Sequence, residues 1–162
     1  MPGRHIRIGL LAMLLGTGLG ACSREAAAPA SPAASSQQQE AVSRIGDVTI
    51  RASVMQTSTL AEAVAAQYGI ARDDHSVMLL VAVRQGAEAQ ETALPARITA
   101  TVTDLRGQRR DIAMRELRSG ELLDYVGTTE IALPDTLRFD LGITREGGAT
   151  STMQFTREFY PR

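Results

Sequence analysis

Two groups of side chains in the body of this 162-residue chain have types and spacings that invite chemistry: Asp73-Asp74-His75, and the cluster Arg106, Arg109, Arg110, Arg115 and Arg118. Two carboxylates beside an imidazole are the ordinary ingredients of a metal site. With His5 inside an N-terminal apolar leader, however, His75 is the one histidine left, and there is a single cysteine. A zinc site built on His or Cys is thereby excluded, no metal ligation is expected, and the triplet reads as a solvated turn before a strand. A hydrolytic triad drawn through His75 lacks the Gly-x-Ser-x-Gly elbow. Gly147-Gly148 has neither the following helix nor the Lys of a phosphate loop. All 17 basic residues are Arg, because the sequence contains no Lys, so Schiff-base and amine-base chemistry are excluded. No cofactor is expected and no enzyme activity. The arginine cluster flanks a turn at Arg106-Gly107 and is interleaved with Asp104, Asp111 and Glu116. It reads as a solvated hairpin edge, and Arg106, Arg109 and Arg110 are the residues that could grip an anionic partner.

The N-terminus has chemistry of its own. Arg4, His5 and Arg7 precede an apolar run from Ile8 to Leu19, and Leu19-Gly20-Ala21-Cys22 follows. Twelve helical residues span roughly 18 Å, short of the ~30 Å hydrocarbon core, so the run is an export signal rather than a membrane span. An ordinary signal peptidase takes small residues at −3 and −1, and cutting before Cys22 would place Leu19 at −3. Leu-Gly-Ala-Cys instead resembles the lipobox of bacterial lipoproteins, whose cysteine is acylated and becomes the new N-terminus. The resemblance implies lipidation of Cys22, and Ser23 after it favours the outer membrane over the inner, with the protein facing the periplasm. Residues 1–21 are then the signal and residues 22–43 a disordered tether rich in Ala, Pro, Ser and Gln, too poor in apolar surface to fold. Loss of Arg4 and Arg7 leaves 15 Arg against 18 Asp and Glu, about −3, which argues against nucleic acid.

Residues 44–162 are patterned differently. Val48, Ile50 and Ala52 alternate with polar residues, as do Ile98, Ala100 and Val102, and Leu137, Phe139, Leu141 and Ile143. Val77 to Val83 is apolar throughout, as in a central strand buried on both faces. Ile112 and Met114 mark another strand, Tyr125 to Ile131 a further one, and Met153, Phe155 and Phe159 the last. Turn signals between these segments predict an all-β fold, an antiparallel immunoglobulin-like β-sandwich of about seven strands. Thr59-Leu60-Ala61-Glu62 has capping-box spacing, with Leu60, Val64 and Tyr68 on one stripe and Gly69 as a stop. This predicts one short helix between the first two strands, lying over an open end of the sandwich.

Ile45-Gly46-Asp47, Leu60 with Val64-Ala65, Tyr68-Gly69-Ile70, Thr136 to Asp140, and Phe155 with Phe159-Tyr160 carry a resemblance to domain-of-unknown-function family 4426. That family is one of Gram-negative envelope proteins, and the resemblance covers roughly Ile45 to Tyr160. The family pattern usually has an aromatic where Ile45 stands and His-Tyr where Arg51-Ala52 stand, so any role of that pair is missing here. No catalytic residue is carried across.

Two function classes follow. The first is a membrane-anchored, non-catalytic binding or accessory module of the envelope, offering a loop end or sheet edge to an envelope protein partner. The second is a small-ligand carrier or an enzyme whose site is not recognisable from sequence. The poverty of His, Cys, Lys and Asn favours the first. The anchor itself is testable: Cys22→Ser should leave the protein unacylated with its signal uncut, and mass spectrometry of the mature chain reads both. A mature chain that begins before Cys22, or one without acyl mass, contradicts the assignment.

Overall fold

The computed structural model describes residues 40–162, so the signal, Cys22 and nearly all of the tether lie outside the described residues. Ten strands form two antiparallel sheets. The first sheet runs β1 (Ala41–Ile45), β2 (Val48–Gln56), β3 (Ser76–Gln85), β8 (Leu122–Glu130), β7 (Arg115–Ser119), with β4 (Thr92–Ala93) paired to the end of β3. The second runs β10 (Thr150–Phe159), β9 (Asp135–Arg145), β5 (Ala96–Thr103), β6 (Arg109–Ile112).

The expected sandwich is present, with three strands more than the seven expected. Strand β1 begins at Ala41, three residues before the expected start of the domain at Arg44. It is an edge strand with little buried surface, so its sequence carries no apolar alternation. Strand β4 is two residues long and leaves no pattern. The segment around Ile112 and Met114 is two strands, β6 and β7, which belong to different sheets.

Alternation explains the core. Val48, Ile50, Ala52 and Val54 on β2 face inward with Val77, Leu79, Val81 and Val83 on β3. Opposite them lie Ile98, Ala100 and Val102 of β5 and Leu137, Phe139, Leu141 and Ile143 of β9. Phe139 is fully buried and stacks on Phe155 of β10 with ring centres 5.2 Å apart. Its neighbour Arg138 points the other way, half exposed, with Nε 3.4 Å from Asp140. Tyr125 reaches across the core from β8, and its hydroxyl accepts a 2.7 Å hydrogen bond from the Ala96 amide at the start of β5. That bond ties one sheet to the other.

The helix α1 (Glu62–Tyr68) follows β2 and lies elsewhere than over an open end. Leu60 and Ala65 pack against Met78 of β3 and Val126 of β8, residues that point away from the sandwich interior. The helix therefore covers the outer face of the first sheet, which is why Val77, Met78 and Leu79 are all buried in succession. The capping box does not form. Ala61 takes the N-cap position, and the Thr59 hydroxyl instead donates to the Gln56 carbonyl at 2.8 Å, within a short 3-10 turn. Gly69 does end the helix, in the left-handed conformation at φ 60°.

Between β6 and β7 the chain crosses from the second sheet to the first in two residues, Ala113 and Met114. It passes directly over Gly127 of β8. A Cβ on Gly127 would lie 2.6 Å from Ile112 Cγ2, 2.8 Å from the Ala113 carbonyl oxygen and 2.8 Å from Met114 Sδ. Because one of these is backbone, the crossing chain must shift as a whole to make room. Gly127→Ala should cost about 1–3 kcal/mol, the usual size of an overpacking strain. Urea denaturation measures it, and a variant as stable as the parent contradicts the tight crossing.

Candidate functional site

A cleft of about 600 Å³ opens on the first sheet, between the end of α1 and strand β8. Residues Val126 to Ile131 line it without a gap. Successive strand residues point to opposite faces, so an unbroken run along one wall means that the wall is the edge of the strand. The pairing explains why that edge is open. Strand β7 accompanies β8 only as far as Arg115 opposite Val126, while β3 continues on the other side to Ser76 opposite Glu130. Among the described residues, Thr128 to Glu130 have a strand on one side only. The Ile131 amide donates toward β3, to the His75 carbonyl at 2.8 Å. By alternation the N–H and C=O groups of Thr128 and Glu130 face the cleft.

The opposite wall is the loop from Gly69 to His75, and two buried polar residues hold it. The Thr57 hydroxyl donates to the Asp73 carbonyl at 3.1 Å and accepts from the Asp73 amide at 2.9 Å. Gln56 Nε2 donates to the Asp74 carbonyl at 3.1 Å, and the Ser58 amide bonds Asp73 O at 3.2 Å. Arg72 reaches back to the Ser58 carbonyl at 2.9 Å. The Arg115 guanidinium, at the mouth of the cleft, donates to the Tyr68 carbonyl at the end of α1. Gln56 and Thr57 are 3% and 0% exposed, so their polar atoms depend on these partners. Sequence reading passed over both. The available signal was that Gln56 continues the inward register of Val48, Ile50, Ala52 and Val54 without being apolar.

Asp73, Asp74 and His75 are exposed, as expected of a turn. The Asp73 carboxylate accepts the His75 amide at 2.6 Å and so closes the turn. Among the described residues no three His, Cys, Asp or Glu side chains are grouped to hold a metal.

The arginine cluster is divided by the fold. Arg106 and Arg110 line a separate cavity of about 310 Å³ with Leu105, Glu130 and Asp135. Arg109 faces the outer side of the second sheet beside Thr101 and Asp140. Arg115 and Arg118 belong to the other sheet, where Arg118 pairs with Glu116 at 2.8 Å. Asp104 shapes the turn, its Oδ1 accepting the Arg106 and Gln108 amides at 2.9 and 2.8 Å. Arg106, Arg109 and Arg110 are therefore not brought to one surface, since Arg109 and Arg110 are neighbours on a strand and point apart.

A second charged group lies on the outer face of the first sheet. Arg51 makes a two-pronged bond to Glu91 at 2.7 and 3.0 Å, with Glu40 at 3.8 Å, and Arg84 pairs with Asp124. The hydrogen bond to Arg51 holds the Glu91 carboxyl below its ordinary value. Arg51 thus clips the loop before β4 to the sheet, while Ala52 beside it is fully buried in the core. These are the two positions where the family pattern carries His-Tyr.

Thr57→Val keeps the shape of the side chain and removes the hydroxyl that serves the Asp73 amide and carbonyl. It should cost about 1–3 kcal/mol, as buried polar groups lose their partner. Amide exchange at Asp73 should speed up more than exchange in the core strands. Unchanged exchange there would mean that Thr57 does not hold the cleft wall.

No curated protein matches the chain. Among solved structures, a DUF4426 family protein from Pseudomonas aeruginosa PAO1 is similar at a TM-score of 0.65 and 23% identity, covering 76% of this chain and 96% of that one. FetP from uropathogenic Escherichia coli strain F11, produced in the periplasm of E. coli, aligns at a TM-score of 0.49 and 10% identity over 77% and 96% of the two chains. A copper-bound variant of FetP aligns at 0.47 and 10%, over 78% and 90%. Likeness at the level of these last two says nothing about shared chemistry. The family model described as Domain of unknown function (DUF4426) matches residues 42–162, from the second residue of β1 to the end of the sequence, and the chain belongs to that family.

Proposed function

We propose that this chain is a non-catalytic binding module of the cell envelope, held on the outer membrane by acylated Cys22 and facing the periplasm, and that it engages a protein partner through the cleft. The observation that carries the reading is the construction of the cleft. One wall is an open strand edge, and the other is a loop fixed by the buried side chains of Gln56 and Thr57. A wall anchored this way is organised before a partner arrives, which lowers the ordering cost of binding. The anchor rests on the lipobox pattern that ends at Cys22. Acyl chains contribute about 0.8 kcal/mol per buried CH₂, enough for stable attachment when several are present.

Photo-crosslinking in intact cells tests this reading. A benzophenone amino acid placed at Ala71 or Thr128, on the two walls, should give a discrete crosslinked protein. The same probe at Thr152, on the outer face of the second sheet, should not. Absence of a cleft-specific adduct overturns the proposal.

A further inference from the structure

We infer that the partner enters the cleft as an extended, basic polypeptide segment and adds as a strand to β8 at Thr128–Glu130, an inference that rests on the cleft being the binding surface. The place for that strand is already marked out. Strand β7 leaves β8 after Val126 because the chain crosses to the other sheet over Gly127, so the lattice of the sheet is vacant there on one side. Thr128 and Glu130 turn their N–H and C=O groups into the vacancy, and three residues of strand offer about 10 Å of edge. Main-chain hydrogen bonds to an open edge are satisfied fully only by another extended chain, and a helix has no groups free to make them.

The recess also selects against another sheet. Among the described residues, strand β10 has a free edge along Thr150–Phe159 and carries Arg157 in the inward register between Phe155 and Phe159, a charge placed where edge-to-edge pairing would bury it. The edge at Thr128–Glu130 has no such charge. It is faced instead across the cleft by the Gly69–His75 loop.

Charge sets the chemistry of the segment. Asp73 on one wall and Glu130 on the other are exposed carboxylates. The Arg115 guanidinium at the same cleft donates to the Tyr68 carbonyl and stands opposite Val126, at the other end of the edge from Glu130. Thr128 and Glu130 share the outward face of β8, so an Arg or Lys of the added strand placed beside Glu130 meets its carboxylate.

Random heptapeptides displayed on phage, selected against the full chain purified from the producing cells, test the inference. Enriched peptides should carry Arg or Lys and should slow amide exchange at Thr128 and Glu130. Thr128→Pro removes the cleft-facing N–H and leaves the pairing to β3 intact, so it should weaken these peptides about tenfold or more. Thr128→Ala keeps the N–H and should bind as the parent does, whereas Glu130→Arg should weaken the basic peptides. Three results would overturn strand addition by a basic segment: no enrichment, an acidic consensus, or binding that leaves exchange at Thr128 and Glu130 unchanged. The exchange measurement is made on the parent chain and does not depend on how Thr128→Pro folds. Cleft-specific crosslinks without peptide capture keep the binding module and remove strand addition, while absence of those crosslinks removes both.

Discussion

The close passage of Ala113-Met114 over Gly127 is the contact on which the rest of the arrangement depends. Two residues carry the chain from the second sheet to the first, and a side chain at Gly127 would meet both a methyl group and a backbone carbonyl below 3 Å. Because the crossing is this short, β7 cannot start alongside β8 until Arg115. The last residues of β8 are left with one neighbouring strand instead of two. A packing requirement in the core thus produces an open edge on the surface.

That edge becomes a site because of what stands across from it. Burying an amide or a hydroxyl without a partner costs several kcal/mol on transfer scales, so Gln56 and Thr57 are tolerable only while they hold the backbone of Asp73 and Asp74. The loop is held in turn by these bonds at Asp73 and Asp74 and by Ile70, which packs against the cluster of Leu60, Ala65, Met78 and Val126. Helix α1 contributes from the same side. Its apolar stripe covers Met78 and Val126 on the outer face of the first sheet, and its final carbonyl receives Arg115.

Charge on the remainder of the surface is largely used for tying segments together. Arg51 with Glu91 clips the loop before β4, Arg84 with Asp124 links β3 to β8, and Asp104 closes the turn after β5. Both ion pairs are part-buried, so each charge depends on its partner. Their value here lies in fixing where loops sit, while Asp73 and Glu130 are the carboxylates that line the cleft, Glu130 bordering the cavity of Arg106 and Arg110 as well.

Much of the sandwich was legible in the sequence, because a strand with one buried face writes its own period into the residue order. Leu137, Phe139, Leu141 and Ile143 could be placed on the core face, and Arg138 on the other, from alternation alone. Gly69 as a helix stop was equally local, since a left-handed φ is a property of one residue. Edge strands escaped because solvent on their flank relaxes the pattern, as at Ala41–Ile45. The capping box failed because the helix starts two residues later than its spacing implied, with Ala61 at the N-cap and the Thr59 hydroxyl donating to the Gln56 carbonyl. The cleft was not legible at all. It is lined by the loop after α1, by Ala113 and Arg115, and by residues 126–131, and the loop is held by Gln56 and Thr57; these meet only when the sheets close, and neither an open edge nor a close approach over glycine has a local signature. Local periodicity determined the elements and their buried faces, whereas tertiary packing decided where the chain crosses between sheets and therefore where backbone is left without a partner.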